Sequence, residues 1–341
     1  MADAMGTGAT GADGSARAHP FEFHGSGGEY FRIWIVNFFL TLVTLGIYSA
    51  WAKVRTERYF ARSTRVAGSS FDYLADPLAI LKGRLLVLGF FALYTAVSVF
   101  APVFEPLMVL AVIALIPWAL VRSMAFRAHN TSWRGLRFRF QATYGNAFAA
   151  YMGLPVLGLL TLGLLYPYAL FQQRRFLVDH ASYGTTRFEI GSGSGDFYRL
   201  FAKLGLLILL VAALMALSVT QTNGPLLAGA LVVPLYFYGF GVFAAGIANL
   251  TYHETRLDRH HLEADLPGGG IAWIYFTNAL AMLLTLGLAI PWAQVRLARY
   301  RLDHIQLHAV GDLDAFVAAQ AEEVASLGAE FGEALDLDLG L

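Results

Sequence analysis

Seven stretches of nearly unbroken apolar residues set the pattern of this chain: Tyr30–Trp51, Arg84–Pro102, Leu107–Val121, Asn146–Tyr168, Leu200–Val219, Leu226–Ala248 and Ile271–Trp292. A helix rises ~1.5 Å per residue, so ~20 residues cross the ~30 Å hydrocarbon core of a bilayer. Most of the stretches meet that length, and Leu107–Val121 does so with its flanks. The pattern predicts an all-α polytopic membrane protein with about seven transmembrane helices. Phe104-Glu105-Pro106 and Thr220 to Gly224 are short turns without a base, which makes hairpins of helices two and three and of helices five and six. The longer segments 53–82 and 122–145 are basic. Within them Thr64 to Tyr73 and Thr131 to Phe140 alternate polar and aromatic positions, predicting short β-elements at the membrane surface. Residues 1–19 are small and polar with no apolar run, and read as a disordered tail rather than a signal peptide or anchor.

One motif recurs. Thr44-Leu45-Gly46-Ile47-Tyr48-Ser49-Ala50-Trp51-Ala52, followed by Arg55 and Arg58-Tyr59, matches Thr285-Leu286-Gly287-Leu288-Ala289-Ile290-Pro291-Trp292-Ala293, followed by Arg296 and Arg299-Tyr300. Asn37 and Asn278 share the same offset. A weaker copy, Thr161-Leu162-Gly163 through Tyr168-Ala169, has Arg175 after it but carries Leu170 and Gln172 where the first has Lys53 and Arg55. Phe21-Glu22-Phe23 also resembles Phe188-Glu189-Ile190. Self-similarity of this kind signals repeated architecture. It divides the chain into a tail (1–19), a first unit of motif helix plus hairpin (20–145), a second (146–260), a partial third (261–310) and an acidic C-terminal helix or tail (311–341).

Composition sharpens the picture. The chain is 57% hydrophobic and 14% charged, against about 25% charge in soluble domains. Twenty-four Lys and Arg balance 24 Asp and Glu, so nothing points to nucleic acid. No cysteine is present, which excludes disulfides, thiolate nucleophiles and Cys-ligated metals. No nucleophile elbow, Walker A loop or dinucleotide fingerprint stands in a credible context, so neither enzymatic activity nor a cofactor is expected. His253, Glu254, Asp258, His260, His261 and Glu263, and the pair His304 and His308, match no specific metal spacing and read as solvated surface.

The stretches FEFHGSGGEYF (21–31), TLGIYSAWAKVR (44–55) and NTSWRGLRFRF (130–140), with the acidic C-terminal end, resemble the YjgN-like family of bacterial inner-membrane proteins. The resemblance covers roughly residues 20 to 341. It implies a multi-pass protein of the bacterial inner membrane with no established activity, and carries over no catalytic residues.

Two arrangements of the motif segments are compatible with the chain. If all seven segments span, an outside amino terminus puts most Lys and Arg inside. Helices one to three and four to six then form an inverted repeat, as in transporters. That is the favoured arrangement, although it leaves basic residues between Phe171 and Lys203 outside. In the alternative the motif segments are re-entrant near Thr-Leu-Gly, and every basic segment lies on the cytoplasmic side.

Candidate chemistry follows from the repeats. Trp51, Tyr168 and Trp292 suit interfacial anchors, and Arg55, Arg58, Arg175, Arg296 and Arg299 beside them suit anionic lipid headgroups. Gly46, Gly163 and Gly287 with Thr44, Thr161 and Thr285 suit close helix packing, or, with Asn37 and Asn278, an uncharged pathway for a solute. The expected function is passage of a small solute or lipid. A membrane scaffold recruiting partners through basic loops and the acidic tail is the alternative. Membrane lipids are the expected partners, and no protein partner is identified. The acidic segment from Asp312 to Asp338, with Phe316, Val317, Val324, Leu327 and Phe331 at roughly helical spacing, is expected to dock on the chain's own basic loops or to bind a partner.

Overall fold

The structure, a computed structural model, describes residues 16–218 and 224–338. It opens with β1 (Ala16–Pro20) and β2 (Glu22–Phe23), separated only by Phe21. Five helical hairpins then alternate with strands. The first, α1 (Gly27–Val43) and α2 (Ser49–Ser63), leads to β3 (Thr64–Val66) and β4 (Ser69–Tyr73). The second, α3 (Pro77–Phe100) and α4 (Glu105–His129), leads to β5 (Thr131–Trp133) and β6 (Leu136–Phe140). The third rises through α5 (Tyr144–Phe148), a π-helical turn (Ala149–Gly153) and α6 (Leu154–Leu160). It returns as α7 (Tyr166–Asp179) to β7 (Ala181–Tyr183) and β8 (Thr186–Glu189). The fourth, α8 (Ser194–Ser218) and α9 (Gly224–Tyr252), leads to β9 (Arg256–Leu257) and β10 (His260–Ala264). The fifth, α10 (Gly268–Leu284) and α11 (Ile290–Leu302), leads to β11 (Ile305–Val310) and finally α12 (Leu313–Asp338).

All strand pairs are antiparallel, in the order β1-β11-β10-β9-β8-β7-β6-β5-β4-β3-β2. β1 and β2 are consecutive in the chain yet stand at the two ends of that order, so the sheet closes on itself. A single closing strand pairs with β11 through residues 16–20 and with β3 through Glu22 and Phe23, and the Phe21 N–H between them donates to the Ile305 carbonyl at 3.1 Å. The closure is short on the β3 side, where only Glu22 and Phe23 pair. The helices close too, because α11 packs on α1.

The strands are held in register by four two-residue turns, Ala67-Gly68, Arg134-Gly135, Gly184-Thr185 and Asp258-Arg259. The first two place both residues at positive φ, the geometry that matches the twist of a hairpin. Five strand ends repeat one pattern, apolar-charged-apolar: Phe21-Glu22-Phe23, Phe71-Asp72-Tyr73, Phe138-Arg139-Phe140, Phe188-Glu189-Ile190 and Leu262-Glu263-Ala264. Alternation sends the apolar residues to one face and the charges to the other. Directly opposed pairs put Phe71 with Trp133, Phe138 with Tyr183, Phe188 with Leu257, and Leu262 with Leu307 on the inner face. There all of these but Leu262 join one core of Val66, Trp133, Leu136, Tyr183 and Ala309, with Leu313, Phe316, Val317 and Val324 of α12. Tyr183 is fully buried, donates its hydroxyl to the Trp133 carbonyl at 3.0 Å, and burial pushes its phenol up to about 12.

These findings correct the all-α, seven-span expectation. Four helices among the described residues are long and apolar enough to cross a membrane, and they are the arms of the second and fourth hairpins. The expected hairpin pairing is therefore retained, with the Thr220-to-Gly224 turn largely outside the described residues. The motif segments are not single straight helices: each folds back as a hairpin with shorter arms, leaving the ring and returning to it. Five helical hairpins alternate with the strands along the chain. Residues 16–19, expected in the tail, form most of β1.

Candidate functional site

The motif segments are the turns at which three hairpins fold back, and each motif residue has a place in the turn. Leu45, Leu162 and Leu286 take φ of 48°, 53° and 50°, and Gly46, Gly163 and Gly287 follow at 92°, 89° and 90°. Two successive left-handed residues end a helix. The Gly46 N–H donates back to the Thr41 carbonyl, Gly163 to Gly158 and Gly287 to Met282, each at 2.8 Å. The threonine oxygens then start the return arm: Oγ1 of Thr44, Thr161 and Thr285 accepts from the backbone N–H of Tyr48, Leu165 and Ala289. A Cβ added at Gly46 or Gly163 would meet nothing, so the backbone angle rather than close helix approach requires glycine there. Leucine at positive φ costs of order 1–2 kcal/mol. The three leucines are 94%, 95% and 93% exposed, at the tips of the hairpins. A tip immersed in hydrocarbon offsets that strain by hiding leucine from water.

Asn37 and Asn278 staple the two arms together. Both are buried. Asn37 donates to the Ala52 carbonyl at 3.4 Å and accepts from Arg55 at 3.4 Å. Asn278 donates to Ala293 at 3.2 Å and accepts from Arg296 at 3.3 Å. The middle copy has lost both partners together, with Leu154 and Gln172 at those positions and Gln172 donating to the Tyr168 hydroxyl. The next motif arginine reaches towards the following unit. Arg58 donates to the Tyr73 carbonyl and Arg299 to that of Gly25, while Arg175 pairs with Asp179, whose other oxygen accepts from the Ile190 N–H. Trp51 stacks on Tyr48, and Trp292 lies half-exposed against Phe31.

Two lateral grooves form where motif hairpins meet their neighbours. The first, about 610 Å³, lies between the α1–α2 hairpin and α3 and is lined by Trp34, Asn37, Leu42, Ser49, Lys53 and Arg84. The second, also about 610 Å³, lies beside α10 and α11 and includes Trp273, Trp292, Arg296, Arg299 and Asp303. They differ in charge. The second holds a carboxylate, whereas the first lines up two cations with no acid. Among the described residues Lys53, Arg55 and Arg84 have no carboxylate partner. Arg84 stands seven residues into α3, about 10 Å along a spanning helix, and hydrogen-bonds the Ser49 hydroxyl. A charge within a helix able to span a membrane is costly to bury in hydrocarbon, which makes Arg84 a candidate site residue. Sequence reasoning placed Arg84 at the boundary of a span and missed it. Its signal was the apolar run from Pro77 to Leu81 ahead of it.

Outside the membrane segments, α12 lies across the turn end of the ring. Arg134 holds it, donating to Asp314, the Ala67 carbonyl and the Ser69 hydroxyl. Gln320 Oε1 accepts from the Thr185 and Thr186 N–H groups at 2.9 and 3.2 Å. Docking thus uses the apolar face and one turn arginine rather than the basic loops as a whole, and the side chains of Leu327 and Phe331 lie outside the described residues. Strand alternation splits the histidine cluster. His260 is buried and accepts from the Val310 N–H, while His261 stacks on His308, which pairs with Glu263. On the outer face, bidentate contact with Arg62 holds the Asp72 carboxyl below its usual range.

A strand ring carrying two hairpins long and apolar enough to span and three shorter ones fits a multi-pass membrane protein, and the relatives place it in the bacterial inner membrane. The chain belongs to the YjgN-like family, matching over residues 18–334 the family described as bacterial protein of unknown function (DUF898). It is 30% identical over 150 residues to inner membrane protein YjgN of Escherichia coli O157:H7, covering 44% of this chain and 38% of that protein. It is 35% identical over 142 residues to inner membrane protein YjgN of Salmonella typhimurium, covering 41% and 35%. The matched segments thus span well under half of these relatives. No solved structure matches.

Proposed function

We propose that this protein binds and passes an anionic amphiphile, a phosphate-bearing membrane lipid, at the cytoplasmic leaflet. One observation carries the reading: the first lateral groove combines apolar walls with Lys53 and Arg84, beside a helix long and apolar enough to span, and no acid lines it. Cations so placed attract an anionic headgroup while the walls accept its chains. The ring end carries Arg65, Arg134, Arg137, Arg139, Arg187 and Arg256, so the positive-inside bias sets it on the cytoplasmic side. The three re-entrant hairpins then enter from that side. Passage of lipid is favoured over passage of an aqueous solute because only the second and fourth hairpins reach across, which leaves one chain without a continuous polar wall.

The test is movement of fluorescent phosphatidylglycerol between leaflets of proteoliposomes. The expected result is exchange well above that of empty vesicles, reduced at least tenfold by Lys53→Ala with Arg84→Ala. Exchange no faster than in empty vesicles, or full exchange in the double variant, would sink the proposal.

A further inference from the structure

The second lateral groove forms where the fifth hairpin meets the start of the first, and its charges differ in kind from those of the first groove. Along α11 the residues Trp292, Arg296, Arg299 and Asp303 follow one another at spacings of four, three and four, which sets them on one face of the helix. All four line the groove, with Trp273 on its α10 wall and Ser26 and Gly27 at the start of α1. From the hairpin tip to the ring the face presents an aromatic ring, two cations and then an acid. Two glycines make room for it. A Cβ at Gly27 would overlap the Trp292 indole, and one at Gly270 the Tyr300 hydroxyl.

None of these charges is paired. Arg296 uses Nη1 alone, for Thr277 Oγ1 and Asn278 Oδ1, and Arg299 uses Nη2 alone, for the Gly25 carbonyl, so most of the five N–H donors of each guanidinium remain. Asp303 stands four residues after Arg299, a spacing at which helices pair opposite charges. The two form no ion pair, and no donor among the described residues reaches the Asp303 carboxylate. The corresponding positions in the other short hairpins are both paired, Arg62 with Asp72 and Asp179 with Arg175. Asp303 also caps the C-terminus of α11, where the helix dipole favours a cation over a carboxylate. Two unpaired cations followed by an unpaired acid complement a ligand that carries both signs.

We infer that the second groove binds a zwitterionic phospholipid headgroup, an alkylammonium phosphodiester, with the phosphate on Arg296 and Arg299 and the ammonium at Asp303. The site rests on the placement proposed above, in which the short hairpins enter the membrane from the ring side. A lipid of the cytoplasmic leaflet then presents its groups in the same order as α11: chains towards the hairpin tip beside Trp292, phosphate next, ammonium nearest the ring. Asp303 lies about 6 Å beyond Arg299 along the helix axis, a span that the two-carbon link of such a headgroup reaches. Arginine offers phosphate paired N–H donors, and a carboxylate holds an ammonium by a charge-assisted bond. The exposed indole of Trp273 adds a face that attracts an ammonium. A purely anionic headgroup would bring like charge to Asp303, so the two grooves select different lipids.

The test uses the full-length chain carrying Lys53→Ala and Arg84→Ala, which removes the cations of the first groove. It is titrated in uncharged detergent with dioctanoyl phosphatidylethanolamine or dioctanoyl phosphatidylglycerol, and bound lipid is counted by native mass spectrometry. The expected result is saturable binding of one ethanolamine lipid per chain, about fivefold tighter than the glycerol lipid, the size of effect that one exposed ion pair gives. Asp303→Asn should erase that preference by weakening the ethanolamine lipid, and Asp303→Arg should reverse it. Asp303 is exposed and its carboxylate bonds to no described residue, so neither change strains the fold. Equal affinity for the two lipids, or a preference that survives Asp303→Asn, would overturn the site. Since the lipid-exchange assay reads the first groove and this one reads the second, either proposal can fail alone.

Discussion

The five hairpins spring from the same kind of strand end yet fall into two classes. The first, third and fifth fold back at Thr-Leu-Gly, and the second and fourth run on as helices of 24 to 29 residues. The ascending arms of the first and fifth have 17 residues, about 25 Å, short of the ~30 Å core. The return arms carry the cations, whereas the long arms are apolar nearly throughout. The ring therefore does not decide how deep a hairpin goes. A three-residue signal inside each short hairpin does, by placing two left-handed residues where a helix would otherwise continue.

The sharpest way to break this comparison is topology. Cysteines at Gly193, Asn223 and Gly268 in the Cys-free chain, treated with an impermeant maleimide in intact cells, should label at Asn223 alone. Labelling at Gly193 or Gly268 would return the motif hairpins to spanning helices. Next in size is the ring itself. Trp133→Ala removes a buried indole that stacks on Phe71 and tilts against Tyr183, and should cost about 3–5 kcal/mol by thermal or denaturant unfolding in detergent. The same change at Trp118, half-exposed on a spanning arm, should cost far less, since lipid replaces its neighbours.

A smaller effect separates the two hairpin classes directly. Gly46→Val forces a β-branched residue to φ 92° and should lower stability by about 1–3 kcal/mol, whereas Gly89→Val in α3, where a Cβ also meets open space, should cost under 1 kcal/mol. Equal losses would mean that the left-handed turn is not what ends the short arms.

The smallest expected effect is a pH dependence of α12 docking. Burial pushes the His260 imidazole below its ordinary value, against the opposing pull of Asp258. Its Nδ1 accepts from Val310 N–H, and Phe316 stands edge-on to it. The folded state therefore binds fewer protons than the unfolded state. Docking is fully stable above about pH 6.5 and weakens as pH falls below that value, levelling off only below the folded value. Protection of α12 amides from hydrogen exchange should fall between pH 7 and pH 5. His260→Leu should flatten that slope, and an unchanged slope would assign it to another group.

Much of this was legible in the residues. The recurrence of Thr-Leu-Gly, the paired Asn37 with Arg55 and Asn278 with Arg296, and the period-two alternation of 64–73 and 131–140 all appear where the structure uses them. A turn near Thr-Leu-Gly was visible in the alternative reading, and the basic segment between Phe171 and Lys203 was its signal. Length counting outweighed it, because an apolar run of 20 residues looks the same whether it is straight or folded back after 17.

By itself the amino-acid order determined a membrane protein built from repeats, with aromatic strands beside basic segments and a break at each Thr-Leu-Gly, because hydropathy and turn chemistry are local properties. Only the tertiary structure decided that the strands close into one ring, that β1 supplies the closing strand, and that Lys53 and Arg84 line one groove. β9 has two residues and β2 has two, too few for any period to show. Closure depends on backbone hydrogen bonds between Phe21 and Ile305, groups that every residue carries, and the groove depends on cations 31 positions apart in the chain. Neither pairing leaves a mark on the order of the residues until the ring brings its ends together.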